Sequence, residues 1–183
     1  MSEEAVIRHC SPTLAGMKTG NIFNYHYSDR TEMLDSIREW NKKLRDKGIR
    51  VIPLRYSHGD TMIYLYRPSM LKHDIENHEA YSILRERGYC TGNCDGCIEH
   101  LIQRLSESGE FPHEIGLFLG YPPEDVDGFI KNKACDYKCV GYWKVYGDRE
   151  RAQKLFSRFR KCTEVYIDQW LKGKSIERLI VTG

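Results

Sequence analysis

No apolar run in this 183-residue chain approaches the ~20 residues that a membrane span requires, so no membrane partner is expected. The opening MSEEAVIRHC has two acids and no apolar stretch, which speaks against a secretory leader. No Gly- or Pro-rich repeat points to disorder or a solenoid. No stretch rich in Pro, Gly or Ser divides the chain either. What is present, 40% hydrophobic and 30% charged residues, is the composition of an ordinary globular protein. The expectation is one cytoplasmic domain spanning residues 1–183, long enough to bury a core without staples.

Charge of one sign is also scarce overall. The formal net charge is +2, but it is unevenly spread. Residues 1–143 hold 18 basic and 21 acidic side chains, and residues 144–183 hold 10 and 5. The basic helical segment 148–183 reads as a solvated face. It lacks aromatic–basic stacking and helix-turn-helix spacing, so nucleic-acid binding is not expected. The pattern specifies no oligomeric state.

The seven cysteines are odd in number and follow no leader, which argues against a secreted disulfide framework. They read as thiols, metal ligands or catalytic groups.

Along the chain, Val6-Ile7 reads as a short extended lead-in, and Ser11-Pro12 as an N-cap and first helical residue. Met33, Leu34, Ile37, Trp40 and Leu44 recur at helical spacing in a helix expected from Ser28 or Asp29 to Lys47, with Gly48 as the stop. RVIPLRY (50–56) and TMIYLYR (61–67) flank Ser57-His58-Gly59-Asp60 and predict a hairpin, with Pro53 on an edge strand. Ser69 to Arg87 predicts helix broken near Asn77. A helix follows the cysteine cluster to about Ser108. EIGLFLGY (114–121) reads as a buried central strand, Pro122-Pro123 as a helix start, and CVGYWKVY (139–146) as a fourth strand. Asp148 caps a long basic helix. The expected fold is α+β, a mixed or antiparallel sheet of about four strands covered by helices.

Three stretches carry a family likeness: RHCSPTLAGMKTGNIF (8–23), FPHEIGLFLGYPPEDVDGFI (111–130) and GYWKVYGD (141–148). In that order they resemble the uncharacterised family of mainly anaerobic bacteria known as domain of unknown function 3793 (DUF3793). The likeness runs from about residue 6 to the C-terminus. It implies no activity, cofactor or ligand. It directs attention to His9, Cys10, Lys18, Asn21, His113, Glu114, Trp143, Lys144 and Asp148.

The residues themselves suggest three sites. Run 9–21 joins an expected strand exit and helix start to two glycines, hydroxyls and a lysine. Free backbone N–H groups there, with His9, Ser11, Lys18 and Asn21, suit a small anionic ligand, and His113 and Lys144 would also read it. The expected pocket therefore combines the 9–21 loop with the strand ends near His113 and Asp148. The same residues permit a thiol hydrolase. Cys10 at a helix start would be the nucleophile, His113 the base, and Asp148 or Asn21 the group that orients it. The third site is Cys90-x3-Cys94-x2-Cys97, the spacing with which radical enzymes hold a four-iron cluster. The 86 residues after Cys97 are too few for the barrel that class uses. A zinc or iron–sulfur site completed by Cys135, Cys139 or His100 remains, or a redox role.

Overall fold

The structure, a computed structural model, describes residues 1–90, 92–107 and 109–182. In chain order the elements are α1 (Glu3–Leu14), β1 (Gly20–His26), α2 (Arg30–Leu44), β2 (Arg50–Ser57), β3 (Asp60–Tyr66), α3 (Pro68–Glu76), α4 (His78–Glu86), α5 (Cys94–Ser106), α6 (Ile115–Phe118), α7 (Pro123–Lys131), β4 (Cys139–Val140), β5 (Lys144–Val145), α8 (Arg149–Leu171) and α9 (Ile176–Leu179). The fold is α+β. It divides into two compact units, Met1–Met70 with Lys161–Gly183, and Leu71–Arg160, so that the boundaries fall inside α3 and α8.

Unit one is built on an antiparallel sheet of order β1-β3-β2. The central strand β3 is the most apolar, and Ile63, Tyr64 and Leu65 are fully buried. The expected hairpin is present. His58 (φ 38°) and Gly59 (φ 89°) both take the left-handed conformation that a two-residue turn of matching twist requires. Pro53 lies on an edge strand, beside a shift in register between Pro53 and Arg55, where a missing N–H costs least. α2 starts at Arg30 and is capped by Asp29, whose side chain accepts the N–H groups of Thr31 and Glu32. It ends in a 3-10 turn, Arg45–Lys47, closed by left-handed Gly48 (φ 71°). Asn41 on α2 acts as a strand partner. Its amide donates to Val51 O at 2.7 Å and its carbonyl accepts Val51 N–H at 2.9 Å.

Two expectations in unit one are corrected. Val6 and Ile7 are not extended, and Ser11-Pro12 do not start a helix. They sit inside α1, whose N-cap is Ser2. Val6, Ile7, Cys10 and Leu14 form a helical stripe that is wholly buried in the sheet's core. That burial outweighs the hydrogen bond Pro12 cannot make. The strand β1 was not anticipated, although Phe23, Asn24, Tyr25 and His26 alternate between inward rings and exposed polar groups.

Unit two is mainly helical. The predicted break at Asn77 is present: its side chain accepts the N–H groups of Glu79 and Ala80 and caps α4. Left-handed Gly88 (φ 82°) follows α4. α5 ends at Ser106, and the expected limit at Ser108 lies outside the described residues. EIGLFLGY is not a strand. It is the single turn α6 with flanking turns, in which Ile115, Leu117 and Phe118 are buried. A short continuous apolar run satisfies a buried helical turn as well as a strand. Gly116 decides the packing here: a methyl at its Cα would stand 2.8 Å from Val126. CVGYWKVY forms only the two-residue strands β4 and β5, a separate small sheet. The sheet of about four strands is thus replaced by one of three and one of two. Asp148 caps α8 as expected, accepting Arg151 N–H at 3.0 Å. α8 buries Ala152, Phe156 and Phe159 and exposes its arginines and lysines from 149 to 161.

Candidate functional site

Segment 9–21 belongs to unit one, and its chemistry there is that of a helix end. Because Cys10 and Ser11 lie in the last turns of α1, the nearby backbone offers carbonyls rather than free N–H groups. Arg67 answers two of those carbonyls, and Lys18 a carbonyl of β1. Arg67, 2% exposed, donates to Thr13 O at 2.7 Å, Leu14 O at 2.8 Å and Val181 O at 2.6 Å. Lys18, 4% exposed, donates to Gly20 O. Ser11 donates its hydroxyl to Ile7 O, and Thr13 donates to Asn21 at 2.7 Å. His9 stacks on Phe23 with ring centroids 5.2 Å apart.

Cys10 is fully buried, and that burial lifts its thiol far above its ordinary range, against a smaller opposite pull from Lys18. Burial brings the Lys18 ammonium down to about 7. The premise of a thiolate activated at a helix N-terminus is therefore overturned. The same correction removes the backbone N–H groups from the expected anion cradle.

The remaining candidates, His113, Lys144 and Asp148, belong to unit two. Two buried carboxylates organise the surroundings. Glu114, 2% exposed, accepts from Tyr89 Oη at 3.0 Å and from Arg104 Nε at 2.9 Å, with Arg87 at 3.9 Å. Asp125, 3% exposed, sits in the first turn of α7. Its Oδ2 accepts the Trp143 indole N–H at 2.7 Å, and its Oδ1 accepts Tyr146 N–H and Gly147 N–H, each at 2.7 Å. That carboxylate fastens the β4–β5 hairpin to α7. From sequence, Asp125 reads as a favourable charge at a helix start; its role as the hairpin's anchor was missed. The one signal in the sequence is that Asp125 and Trp143 both fall within the stretches that carry the family likeness.

Fastened this way, the hairpin encloses a cavity of about 300 Å³ with α6 and α7. Phe129, Tyr121, Tyr142 and Trp143 supply aromatic wall, and His113 and Lys144 supply the nitrogen groups. Trp143 stacks on Tyr121 at 4.6 Å and meets Phe156 edge-on at 4.6 Å. His113 packs against Phe129 at 4.8 Å and Phe111 at 5.5 Å. Among the described residues its ring nitrogens have no hydrogen-bond partner. Lys144 donates one bond, to Ala134 O at 2.8 Å, and lies 4.7 Å from the Tyr137 ring centre and 5.8 Å from that of Phe129. Ala134 is held in the left-handed region (φ 63°), between Lys133 (φ 47°) and Asp136 (φ 58°). Such backbone is costly for residues with a Cβ, and it aims the Ala134 carbonyl at the lysine.

Asp148 lines a different, larger cleft of about 520 Å³ with His73, His78 and Arg151, while Tyr121, Asp125 and Trp143 border both. The structure thus brings His113 and Lys144 together and gives Asp148 a capping role.

The cysteine loop is also in unit two. Asn93 caps α5, Cys94 is its first residue, Cys97 is buried, and Cys90 is exposed. All seven cysteines are unbridged. Among the described residues no three His, Cys, Asp or Glu side chains are placed to hold a metal ion. Cys139 stands on β4, and His100 packs on Tyr89 at 4.4 Å. Among the described residues no helix is long and apolar enough to cross a membrane.

No curated protein and no solved structure matches the chain. A family model described as protein of unknown function (DUF3793) matches residues 6–180, and the chain belongs to that family.

Proposed function

We propose that this protein binds a small organic anion with an apolar or aromatic body in the cavity of unit two. The observation that carries the reading is the pairing of His113 and Lys144 on one aromatic-walled cavity. Small-ligand sites are mostly apolar with a few polar groups that fix orientation, and about 300 Å³ suits a compact metabolite. The bordering acid, Asp125, is already occupied by three N–H groups, so it does not repel an anion as a bare carboxylate would. Lys144 spends one of its three donors on Ala134 and keeps the others. The ammonium supplies charge, the imidazole a hydrogen bond, and the rings of Trp143 and Phe129 a surface for the ligand's body.

Calorimetric titration with phenylacetate and phenyl phosphate, against neutral phenylacetamide, tests this reading. Saturable binding of an anion and not of the amide is expected, with a loss of about 10- to 100-fold in Lys144→Met, the scale of one charge-assisted hydrogen bond. Lys131→Met, on an exposed cation paired with Asp127, should leave binding unchanged. Equal affinity for the amide, or equal binding by Lys144→Met, overturns it.

A further inference from the structure

We infer that Cys94 and Cys97 are a redox-active dithiol that closes an intramolecular disulfide by exchange with a small disulfide. The pair lies apart from the cavity residues described above and needs none of them.

Cys94-Asp95-Gly96-Cys97 forms the first turn of α5, a helix of 13 residues. Asn93 fixes that turn, accepting Asp95 N–H on its side chain at 3.0 Å and Cys97 N–H on its carbonyl at 3.0 Å. With a rise of about 1.5 Å per residue and a radius of about 2.3 Å, residues three apart have Cα atoms about 5 Å apart. A disulfide spans roughly 4.4–6.8 Å between Cα atoms, so this turn closes the bond without moving the backbone far. Gly96 adds no side chain between the two, and a methyl there would meet nothing closer than 3.9 Å.

Exposure separates the two roles. Cys94 is partly exposed and is the sulfur a solution disulfide meets first; Cys97 is buried and shielded from it. The Cys97 thiol donates to the Cys90 carbonyl at 3.4 Å, which holds it toward the loop rather than into the core. Burial, and then the neighbouring sulfurs of Cys94 and Cys90, push Cys97 up to about 11. Burial, and then Glu76 and Asp95, also raise Cys94. Exchange therefore waits on a small thiolate fraction and quickens with pH.

The step balances with the small disulfide as oxidant. The Cys94 thiolate attacks one of its sulfurs, the S–S bond breaks, and the first thiolate leaves with the electron pair. The Cys97 thiolate then attacks the Cys94 sulfur and expels the second. The dithiol gives up two electrons and two protons, and the small disulfide becomes two thiols.

The full chain equilibrated in glutathione buffers of rising disulfide content provides the test, read by intact mass and, after alkylation of free thiols and cleavage before Asp95, by fragmentation spectra of the linked peptides that tell Cys90 from Cys94. The expected product is lighter by about 2 Da, with Cys94 bonded to Cys97, and it forms about tenfold faster per pH unit between pH 7 and 8. Cys90→Ser, at an exposed position, should form the same bond with an equilibrium constant within about threefold. Cys94→Ser should not close a bond in this loop. A bond from Cys90 to Cys97, closure in Cys94→Ser, or no closure at any glutathione ratio overturns the inference.

Discussion

The indole N–H of Trp143 is donated to Asp125 Oδ2 at 2.7 Å, inside a carboxylate that also receives two backbone N–H groups from the far end of the same hairpin. One acid thus fixes both the wall of the cavity and the strand that carries Lys144. Asp125→Ala leaves one buried and two half-buried donors unpaired and should cost about 3–5 kcal/mol. Asp125→Asn keeps an oxygen for one side and sets an amide N–H against the indole N–H, and should cost about 1–3 kcal/mol. Urea denaturation followed by tryptophan fluorescence checks the order wild type, Asn, Ala.

Arg67 plays a comparable part in unit one. It is buried without a carboxylate partner among the described residues and answers carbonyls at the C-terminal end of α1 and in the tail. A helix C-terminus is the negative end of its dipole, so a cation is favourable there. Val181 N–H also bonds to Leu14 O at 3.1 Å, so the tail and the helix end are joined twice. Arg67→Met leaves the carbonyls of Thr13 and Val181 without this donor and should destabilise the fold by about 2–4 kcal/mol and speed amide exchange at Val181. Arg67→Lys should rescue only part, because an ammonium cannot hold the same fork of carbonyls.

Lys18 gives unit one a pH dependence of definite sign. Burial lowers its ammonium from 10.5 to about 7 in the folded chain. Between those values the unfolded chain holds the proton and the folded chain does not, so stability rises with pH. The gain from pH 7 to 8.5 should be about 2 kcal/mol. Above the ordinary thiol value of 9.0, buried Cys10 works in the opposite direction, because the unfolded chain loses a proton that the folded chain keeps. Denaturation midpoints of wild type and Lys18→Met at pH 7.0, 7.8 and 8.5 check this. The slope should flatten in the variant.

Much of the helical framework was readable in the residues. The break at Asn77, the cap at Asp148 and the stop at Gly48 were legible because these are local backbone demands that one side chain or one missing Cβ satisfies. The hairpin at His58-Gly59 was legible for the same reason. EIGLFLGY was not, since full burial removes the alternation that tells strand from helix. α1 was misread because Pro12 and Ser11 carry the local signal of a start, while the burial of Val6, Ile7, Cys10 and Leu14 is tertiary. That misreading shifted Cys10 and Lys18 from a proposed site into the core. His113 and Lys144, expected to read a ligand held by the 9–21 loop, line one cavity of unit two whose lining has no residue of that loop. The anchor between them, Asp125, was hidden because its three donors come from residues 18 to 22 positions later.

The cavity of unit two is tested most directly by nuclear magnetic resonance on the full chain titrated with phenylacetate. The chain has three tryptophans, so three indole N–H signals are expected, and Trp143→Phe assigns the one in the cavity wall. The account predicts saturable shifts of the Trp143 indole and the His113 ring, with the signals of Trp40 and Trp170 still. Shifts confined to Trp40 or Trp170, or none at any phenylacetate concentration, would contradict it.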